Sequence, residues 1–329
     1  MHARKVIEMG EGTLLVSMPK EWARRNGIKK GDTLSVDELA GRKLIIRPIQ
    51  DAEEAPKEID VDYPGVEFSQ VINNVTGAYL LGFNVIRVGG SKVISREDRA
   101  KLKTAAGRLV GLEIMDEDSK RMTFQFLLEA SAIVPERIVR RMSGLLEGML
   151  KDLAEALLKS DSKLMALVAE RDDEVDRLYF LLVRATRAAV NSPELAAGYG
   201  LSPVDIVDYR VLATFLESVG DGVSDLSEKV IGGDLSKSVS REFACLVVKL
   251  VEMNDLATKA FITRRAGRAT AVNARVAAMA EEVSLKLAQV SKAEAKEGRT
   301  HAETIGSLER VSKLLVDVSD LAVITHTGS

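Results

Sequence analysis

The chain has few of the residue types on which many catalytic and metal sites depend. Its 329 residues include one cysteine and three histidines. The single cysteine, Cys245, excludes an intrachain disulfide, and its apolar surroundings in FACLVVKLV predict a small buried hydrophobic residue. His2, His301 and His326 are too widely scattered to suggest a histidine-rich zinc site or a serine-type catalytic triad. We therefore expect any bound metal ion to have oxygen ligands.

Long hydrophobic runs are also missing. No stretch approaches the ~20 apolar residues of a membrane span, and the N-terminal segment MHARKVIEMGEGT has no hydrophobic signal region. The hydrophobic fraction of 46% is nevertheless ample for a globular core, and the length predicts two or three domains. We expect a cytoplasmic protein that is not inserted in a membrane.

Charge is distributed unevenly and marks a first domain at residues 1–49. This segment carries ten Lys and Arg against six Asp and Glu, a net +4, so the rest of the chain carries −7. Its pattern predicts two strands, a short helix opened by Pro19, and two further strands around Ala40 and Gly41. Because about 48 residues are too few to bury a stable core alone, we expect this unit to pair with a second chain.

The run GTLLVSMPKEWARRNGIKKGDTLSVDELAGRKLIIRP resembles the AbrB/MazE/SpoVT family of swapped-hairpin domains, and the resemblance covers residues 3–48. It implies a small β-rich domain that forms a homodimer and binds double-stranded DNA. Some members of this family serve only for dimerisation, which leaves an alternative without DNA. By the resemblance and by charge, the cations expected to meet phosphates or base edges are Arg4, Lys5, Lys20, Arg24 and Arg25.

A small α/β module is predicted at residues 65–130. The preceding segment IQDAEEAPKEIDVDYP is acidic and contains proline, which predicts a tether. Gly89 and Gly90 follow a predicted strand, but the glycine patterns of nucleotide-binding loops are absent. The module is predicted to consist of helix 67–81, strand 84–88, helix 96–110, strand 112–116 and strand 122–128.

The remainder of the chain, residues 135–327, has a helical period and almost no proline. Two related strings, FLESVGDGVSDLSEKV and SLERVSKLLVDVSDLA, indicate an internal duplication. We therefore predict a multi-domain chain that ends in all-α tandem three-helix bundles, one at 135–232 and one at 237–327. The predicted helices are 135–159, 161–191, 203–232, 237–267, 270–297 and 300–325.

The third predicted helix carries a stripe of acids. Glu217, Asp221, Asp225 and Glu228 have helical spacing, so their carboxylates share one face. The intervening Gly220, Gly222 and Ser224 are small, although glycine costs roughly 1 kcal/mol in a helix interior, and we expect a cation to approach this surface. The opposite face is apolar and consists of Leu212, Leu216, Val219, Val223, Leu226 and Val230.

The duplication and the acidic motifs resemble the PhoU family, whose tandem three-helix bundles carry E(D)xxxD motifs that bind multinuclear metal clusters. Glu217 and Asp221 match such a motif, and Asp225 stands where the family often has Asn. The preceding helix offers a second pair, Asp172 and Asp176. The resemblance implies that these five carboxylates hold a transition-metal ion cluster of iron, zinc, nickel or manganese on the first repeat. Without metal, the stripe is a solvated face with weak ion pairs.

The second repeat departs from the motif. Glu309 and Asp317 remain, but Lys313 replaces the middle acid. Ala280 and Ser284 stand where the neighbouring helix should carry its acidic pair. An ammonium group can neutralise the remaining acids, so we expect no metal cluster in this repeat.

The PhoU resemblance implies a regulator of phosphate uptake that contacts phosphate transporter components. The fused N-terminal domain looks like an archaeal arrangement, in which one chain senses the phosphate or metal state and binds a promoter. The alternative is an adaptor that docks the transporter and uses the N-terminal domain only to dimerise. We expect no enzyme, because the sequence shows no nucleophile with its base and no Glu-x-x-His pair of a di-iron bundle.

Overall fold

The structure is a computed structural model that describes residues 3–10, 12–39, 43–48, 56–65, 67–231, 233, 235–263, 266–293 and 299–323. The chain divides into two units, Met1–Ala55 and Pro56–Ser329. Among the described residues, no helix is long and apolar enough to cross a membrane.

The first unit consists of two antiparallel hairpins and a short helix. Strand β1 (Val6–Met9) pairs with β2 (Thr13–Val16), and helix α1 (Lys20–Arg25) follows. Strand β3 (Leu34–Leu39) then pairs with β4 (Lys43–Pro48). The β1–β2 turn contains Gly10 and Gly12, both with positive φ, a conformation that glycine adopts without steric cost. This is the strand, helix and hairpin order that the sequence predicts.

The second unit begins with a four-stranded mixed sheet in the order β5-β6-β8-β7. Strands β5 and β6 are parallel, and β8 is antiparallel to both of its neighbours. Helices α2 and α3 alternate with the strands along the chain. The elements are β5 (Glu58–Asp62), α2 (Phe68–Leu80), β6 (Val85–Gly89), α3 (Arg96–Gly107), β7 (Leu112–Glu117) and β8 (Arg121–Phe126).

The prediction of a tether before this module is wrong for residues 58–62, which form β5. The segment alternates acids with Ile59 and Val61, and Val61 is buried in the core while Ile59 packs against it. Such alternation is typical of a half-buried strand. Composition alone does not reveal this alternation, because acids and prolines are also typical of a tether.

The rest of the second unit is helical, with a short 3-10 turn at Ala130–Ala132 before it. The predicted helix 161–191 is interrupted at Arg171, whose Nη1 lies 2.5 Å from Asp152 Oδ2. The next helix then begins with three acids, which suit a helix N-terminus. The helices are α4 (Pro135–Lys159), α5 (Ser162–Glu170), α6 (Asp172–Asn191), α7 (Pro193–Gly198), α8 (Pro203–Ile231), α9 (Lys237–Thr263), α10 (Ala266–Ala293) and α11 (Arg299–Val323).

Helices α4–α8 and α9–α11, which correspond to the two predicted bundles and are called the first and second repeats, share one continuous core. Helix α4 packs on α9, and α8 packs on α11, so the buried residues of both sets form a single cluster. All six apolar residues predicted for the inner face of α8 are fully or almost fully buried. The predicted fold class, a β-rich hairpin domain, a small α/β module and helical bundles, is confirmed.

Candidate functional site

Helices α6 and α8 bring three carboxylates together on the surface of the first repeat. One carboxylate oxygen each from Asp176, Glu217 and Asp221 lies within 4.8 Å of the others. Asp176 and Glu217 are partly buried, and Asp221 is exposed. Three carboxylates from two helices offer the oxygen ligands that hard divalent cations prefer. We call Asp176, Glu217 and Asp221 the acidic group.

Asp172 lies one helical turn before Asp176 and extends the negative field of the acidic group. Its Oδ1 is buried without a hydrogen-bond partner among the described residues. A Cβ atom on Gly220 would lie 2.7 Å from this oxygen. Gly220 is therefore small because a carboxylate of α6 fits against the backbone of α8.

Gly222 has a similar reason for being small. A Cβ atom there would lie 2.7 Å from Val311 Cγ2 on α11. Packing against neighbouring helices therefore explains why Gly220 and Gly222 are small, and these contacts do not test the prediction that a cation approaches the acidic stripe. The spacing pattern shows that close approach is needed, but it cannot show which group approaches.

Burial and mutual repulsion raise the pKa values of these acids. Burial, with added repulsion from Asp221 and Asp176, raises the pKa of Asp172 to about 7. Burial also raises the pKa of Glu217, with the Asp221 carboxylate adding to the effect. The pKa of Asp176 is likewise raised by burial, although the Arg108 guanidinium opposes the shift. The site is therefore stabilised by adding positive charge, as protons or as a cation.

The α/β module supplies a cation to this site. Arg108, at the C-terminal end of α3, donates from Nη2 to Asp176 Oδ2 at 2.7 Å and to Asp173 Oδ1 at 3.1 Å. The sequence alone does not indicate Arg108, because it lies 68 residues from Asp176 and no local pattern connects the two residues. The link exists only because the module packs on α6.

A buried arginine on α6 holds the module in place. Arg184 is 5% exposed and donates from Nη1 to the carbonyl oxygens of Tyr79 at 2.5 Å and Phe83 at 3.0 Å. Its guanidinium also lies 3.7 Å from the centroid of the Phe126 ring. These contacts attach the end of α2 and strand β8 to the first helical repeat.

The other acids of the predicted stripe lie outside the acidic group. Asp225 accepts a hydrogen bond from Lys229 Nζ at 2.5 Å and lies 3.2 Å from Ser307 Oγ on α11. Glu228 is exposed. The stripe thus divides into an acidic group near α6 and an ordinary surface ion pair near α11.

The second repeat contains weaker polar contacts. Ser284 on α10 lies 3.5 Å from Glu309 on α11, at the limit of a hydrogen bond. Burial, with repulsion from Asp320, raises the pKa of Asp317. Within the described part of this repeat, no three His, Cys, Asp or Glu ligands come together.

The histidines and the cysteine stand apart from these acids. His301 is buried and stacks on Phe243, with ring centroids 5.7 Å apart. His2 and His326 lie outside the described residues. The prediction that Cys245 is buried is wrong, because Cys245 is exposed on α9. An apolar run longer than one turn must place some side chains on the outer side of a helix.

The predicted DNA-binding cations are all exposed in the first unit. Lys20, Arg24 and Arg25 lie on α1, where Lys20 and Arg24 share a face one turn apart. Arg4 and Lys5 immediately precede β1. Their accessibility allows contact with a large anionic partner.

Taken together, the fold and the acidic group define a helical-bundle protein with a surface carboxylate site and a fused hairpin domain. The family model described as "PhoU domain" matches residues 139–230 of this chain. A second model, "Antidote-toxin recognition MazE, bacterial antitoxin", matches residues 10–54. Both resemblances predicted from the sequence are confirmed.

Two solved structures are similar to this chain. PhoU from Pseudomonas aeruginosa is 18% identical, with a TM-score of 0.47 over 57% of this chain and 93% of that chain. The phosphate transport system regulatory protein PhoU from Streptococcus pneumoniae is 16% identical, with a TM-score of 0.46 over 59% and 94%. A comparison with curated protein sequences gives no match.

Proposed function

We propose that this protein is a phosphate-responsive regulator of phosphate uptake that acts in transcription and has no enzymatic activity. It binds double-stranded DNA through a dimeric N-terminal domain and senses through its PhoU domain. The observation that carries the proposal is the presence of a PhoU domain and a MazE-type domain in one chain. One molecule would then both sense phosphate or metal and bind DNA.

The exposed apolar residues of the first hairpin support a homodimer. Val6, Ile7, Leu14 and Val16 are between 58% and 68% exposed in the single chain. Both faces of the hairpin carry apolar side chains, because Val6 pairs with Val16 and Ile7 pairs with Leu15. An isolated two-stranded hairpin is at best marginally stable in water, and a second copy would cover these faces.

A DNA-binding experiment tests the transcriptional part of the proposal. Titration of a fluorescent DNA duplex from upstream of phosphate-uptake genes should show an affinity that falls with salt. Charge reversal at Arg24→Glu and Arg25→Glu should weaken binding at least tenfold, because phosphate contacts become repulsive. The matched control reverses two exposed lysines of the helical part, Lys163→Glu and Lys286→Glu.

Equal affinities for the two double variants would refute DNA binding through α1. Together with an unaltered dimer, that outcome favours the alternative function, an adaptor that docks phosphate transporter components. A pull-down with those components then distinguishes the adaptor from a protein with neither role.

We further propose that the first repeat binds a transition-metal cation. The residues that fit this role are Asp176, Glu217 and Asp221 as ligands, with Asp172 one turn away. The clustered carboxylates and the buried, unpartnered Oδ1 of Asp172 support it. A cation there would offset the repulsion that raises the pKa values of these acids.

Metal content provides the test. Protein purified without chelator should contain stoichiometric iron, zinc, nickel or manganese by elemental analysis. Glu217→Ala with Asp221→Ala should remove it, because two of three ligands are lost. Asp225→Ala is the matched control and should retain the metal, since Asp225 pairs with Lys229 instead. Equal metal content in all three proteins would refute the site.

A further inference from the structure

A groove of about 800 Å³ lies between α2 and α3 of the α/β module. The residues of α2 that line the groove recur at helical spacing, so they lie on one side of that helix. The facing side of α3 contributes small and charged side chains. The position of the groove is defined by Phe68, Ile72, Thr104, Arg108, Leu109 and Phe180. We call this cavity the α2–α3 groove.

The size and lining of the α2–α3 groove suit a small molecule. Binding pockets for drug-sized ligands have volumes of about 300–1,000 Å³ and mostly apolar walls with a few polar groups. Phe68 and Ile72 on α2 and Leu109, just after the end of α3, provide apolar walls. Phe180 on α6 also lines the groove.

The groove carries a different charge arrangement at each end. Near the start of α3, Lys101 lies 5.9 Å from the Phe68 ring centroid and pairs with Glu97 at 2.7 Å. Near the end of α3, Arg108 lines the groove. Only Nη2 of Arg108 donates to described residues, namely Asp173 and Asp176. Its Nη1 and Nε therefore have no acceptor within the described part of the chain.

We propose that the α2–α3 groove binds an amphiphilic monoanion, with its apolar body against Phe68 and Ile72 and its anionic head on Arg108. A guanidinium presents five N–H donors in a planar fork that matches a carboxylate or a phosphate. The Lys101 ammonium pairs with Glu97, whereas the Arg108 guanidinium, beside its pairs with Asp173 and Asp176, keeps Nη1 and Nε without an acceptor among the described residues, so Arg108 is the better receiver of a head group.

The same arginine connects the groove to the acidic group. Arg108 bonds Asp176, and Phe180 follows Asp176 by one turn on α6. An anionic head group bound to Arg108 offsets the positive charge of the guanidinium that faces Asp176. The acidic group then has a higher affinity for divalent cations, and by linkage the cation raises the affinity of the groove for its anion. This coupling rests on the metal site proposed above.

Calorimetric titration of the full chain with decanoate tests the groove. We expect saturable binding of one decanoate per chain, and at least tenfold weaker binding of decanol, which has no charge. Arg108→Gln should remove the preference for decanoate over decanol. Thr104→Trp should fill the groove and weaken both ligands at least tenfold.

Binding elsewhere is distinguished by a matched control. Lys286→Trp places the same side chain on an exposed position of α10 and should leave decanoate affinity unchanged. The proposal is overturned if wild-type protein shows no saturable decanoate binding. It is also overturned if Thr104→Trp and Lys286→Trp bind alike, or if Arg108→Gln keeps the decanoate preference. Circular dichroism confirms that each variant is folded.

A second titration separates the groove from the metal site. Mn²⁺ binding to metal-free protein, followed by electron paramagnetic resonance, should become several-fold tighter when decanoate is saturating. Arg108→Gln should abolish this difference. If Mn²⁺ does not bind while decanoate does, the metal site fails and the groove stands. If both bind without mutual effect, the coupling is refuted.

Discussion

At the residue scale, Asp172 illustrates how a carboxylate can be held in an unfavourable environment. It lies against α8 at Gly220, and one of its oxygens is buried without a partner among the described residues. Burial and the neighbouring acids raise its pKa to about 7. The folded protein therefore binds a proton at this residue that the unfolded chain releases near pH 4.

The raised pKa predicts a pH dependence of stability. Between the unfolded value near 4 and the folded value near 7, the folded state holds more protons, so the free energy of unfolding falls as pH rises. A shift of about three units corresponds to ~4 kcal/mol. Because the side chain is only half-buried, solvent screening reduces this, and we expect roughly 1–2 kcal/mol.

Chemical denaturation of metal-free protein from pH 5 to 8 measures this effect. The free energy of unfolding of Asp172→Asn should exceed that of wild type at pH 8. It should also fall much less than that of wild type between pH 5 and pH 8. Glu228→Gln is the control, because Glu228 is exposed and lies outside the acidic group. Parallel stability profiles for wild type and Asp172→Asn would contradict the prediction.

At the element scale, the attachment of the α/β module depends on α6. This helix supplies Asp176 to Arg108 and Arg184 to the carbonyl oxygens of Tyr79 and Phe83. It also supplies Phe180 to the α2–α3 groove. One element therefore positions the acidic group and the module beside it.

Truncation of Arg184 tests this attachment. Arg184→Ala leaves two carbonyl oxygens without their donor and removes a ring contact, so we expect destabilisation of roughly 2–4 kcal/mol. Arg187→Ala, at an exposed position on the same helix, should change stability by less than about 0.5 kcal/mol. Urea denaturation measures both, and similar losses for the two variants would show that Arg184 does not hold the module.

At the scale of the whole molecule, the N-terminal unit and the rest of the chain form separate compact units. The second unit has one continuous core that includes the α/β module and both helical repeats. The first unit exposes apolar residues on both faces of a hairpin. Stability within a single chain is therefore concentrated in the second unit.

Dimer formation should depend on the exposed hairpin. We expect Ile7→Lys with Leu15→Lys to convert a dimer into a monomer, because two charges would be buried at the interface without partners. Leu285→Lys is the control at an exposed leucine of α10. Sedimentation velocity measures the mass of each protein. A dimer that persists in the double variant would place the interface elsewhere in the chain.

Local patterns in the sequence determined most of the elements. The 3.6-residue period predicted the helices and the buried face of α8, because burial of one face is a repeating local property. The same period put Glu217 and Asp221 on one face, and it put Asp172 one turn before Asp176. It also placed Asp225 on the stripe, but it could not show that Lys229 and α11 separate Asp225 from the others.

Tertiary packing alone decided what meets these surfaces. No local pattern relates Arg108 to Asp176, because their contact depends on how the module packs on α6. Small residues at positions 220 and 222 signal close approach, yet only the packed helices show that Asp172 and Val311 are the neighbours. Periodicity reports which face of an element is buried, whereas the identity of the facing group depends on contacts between residues distant in sequence.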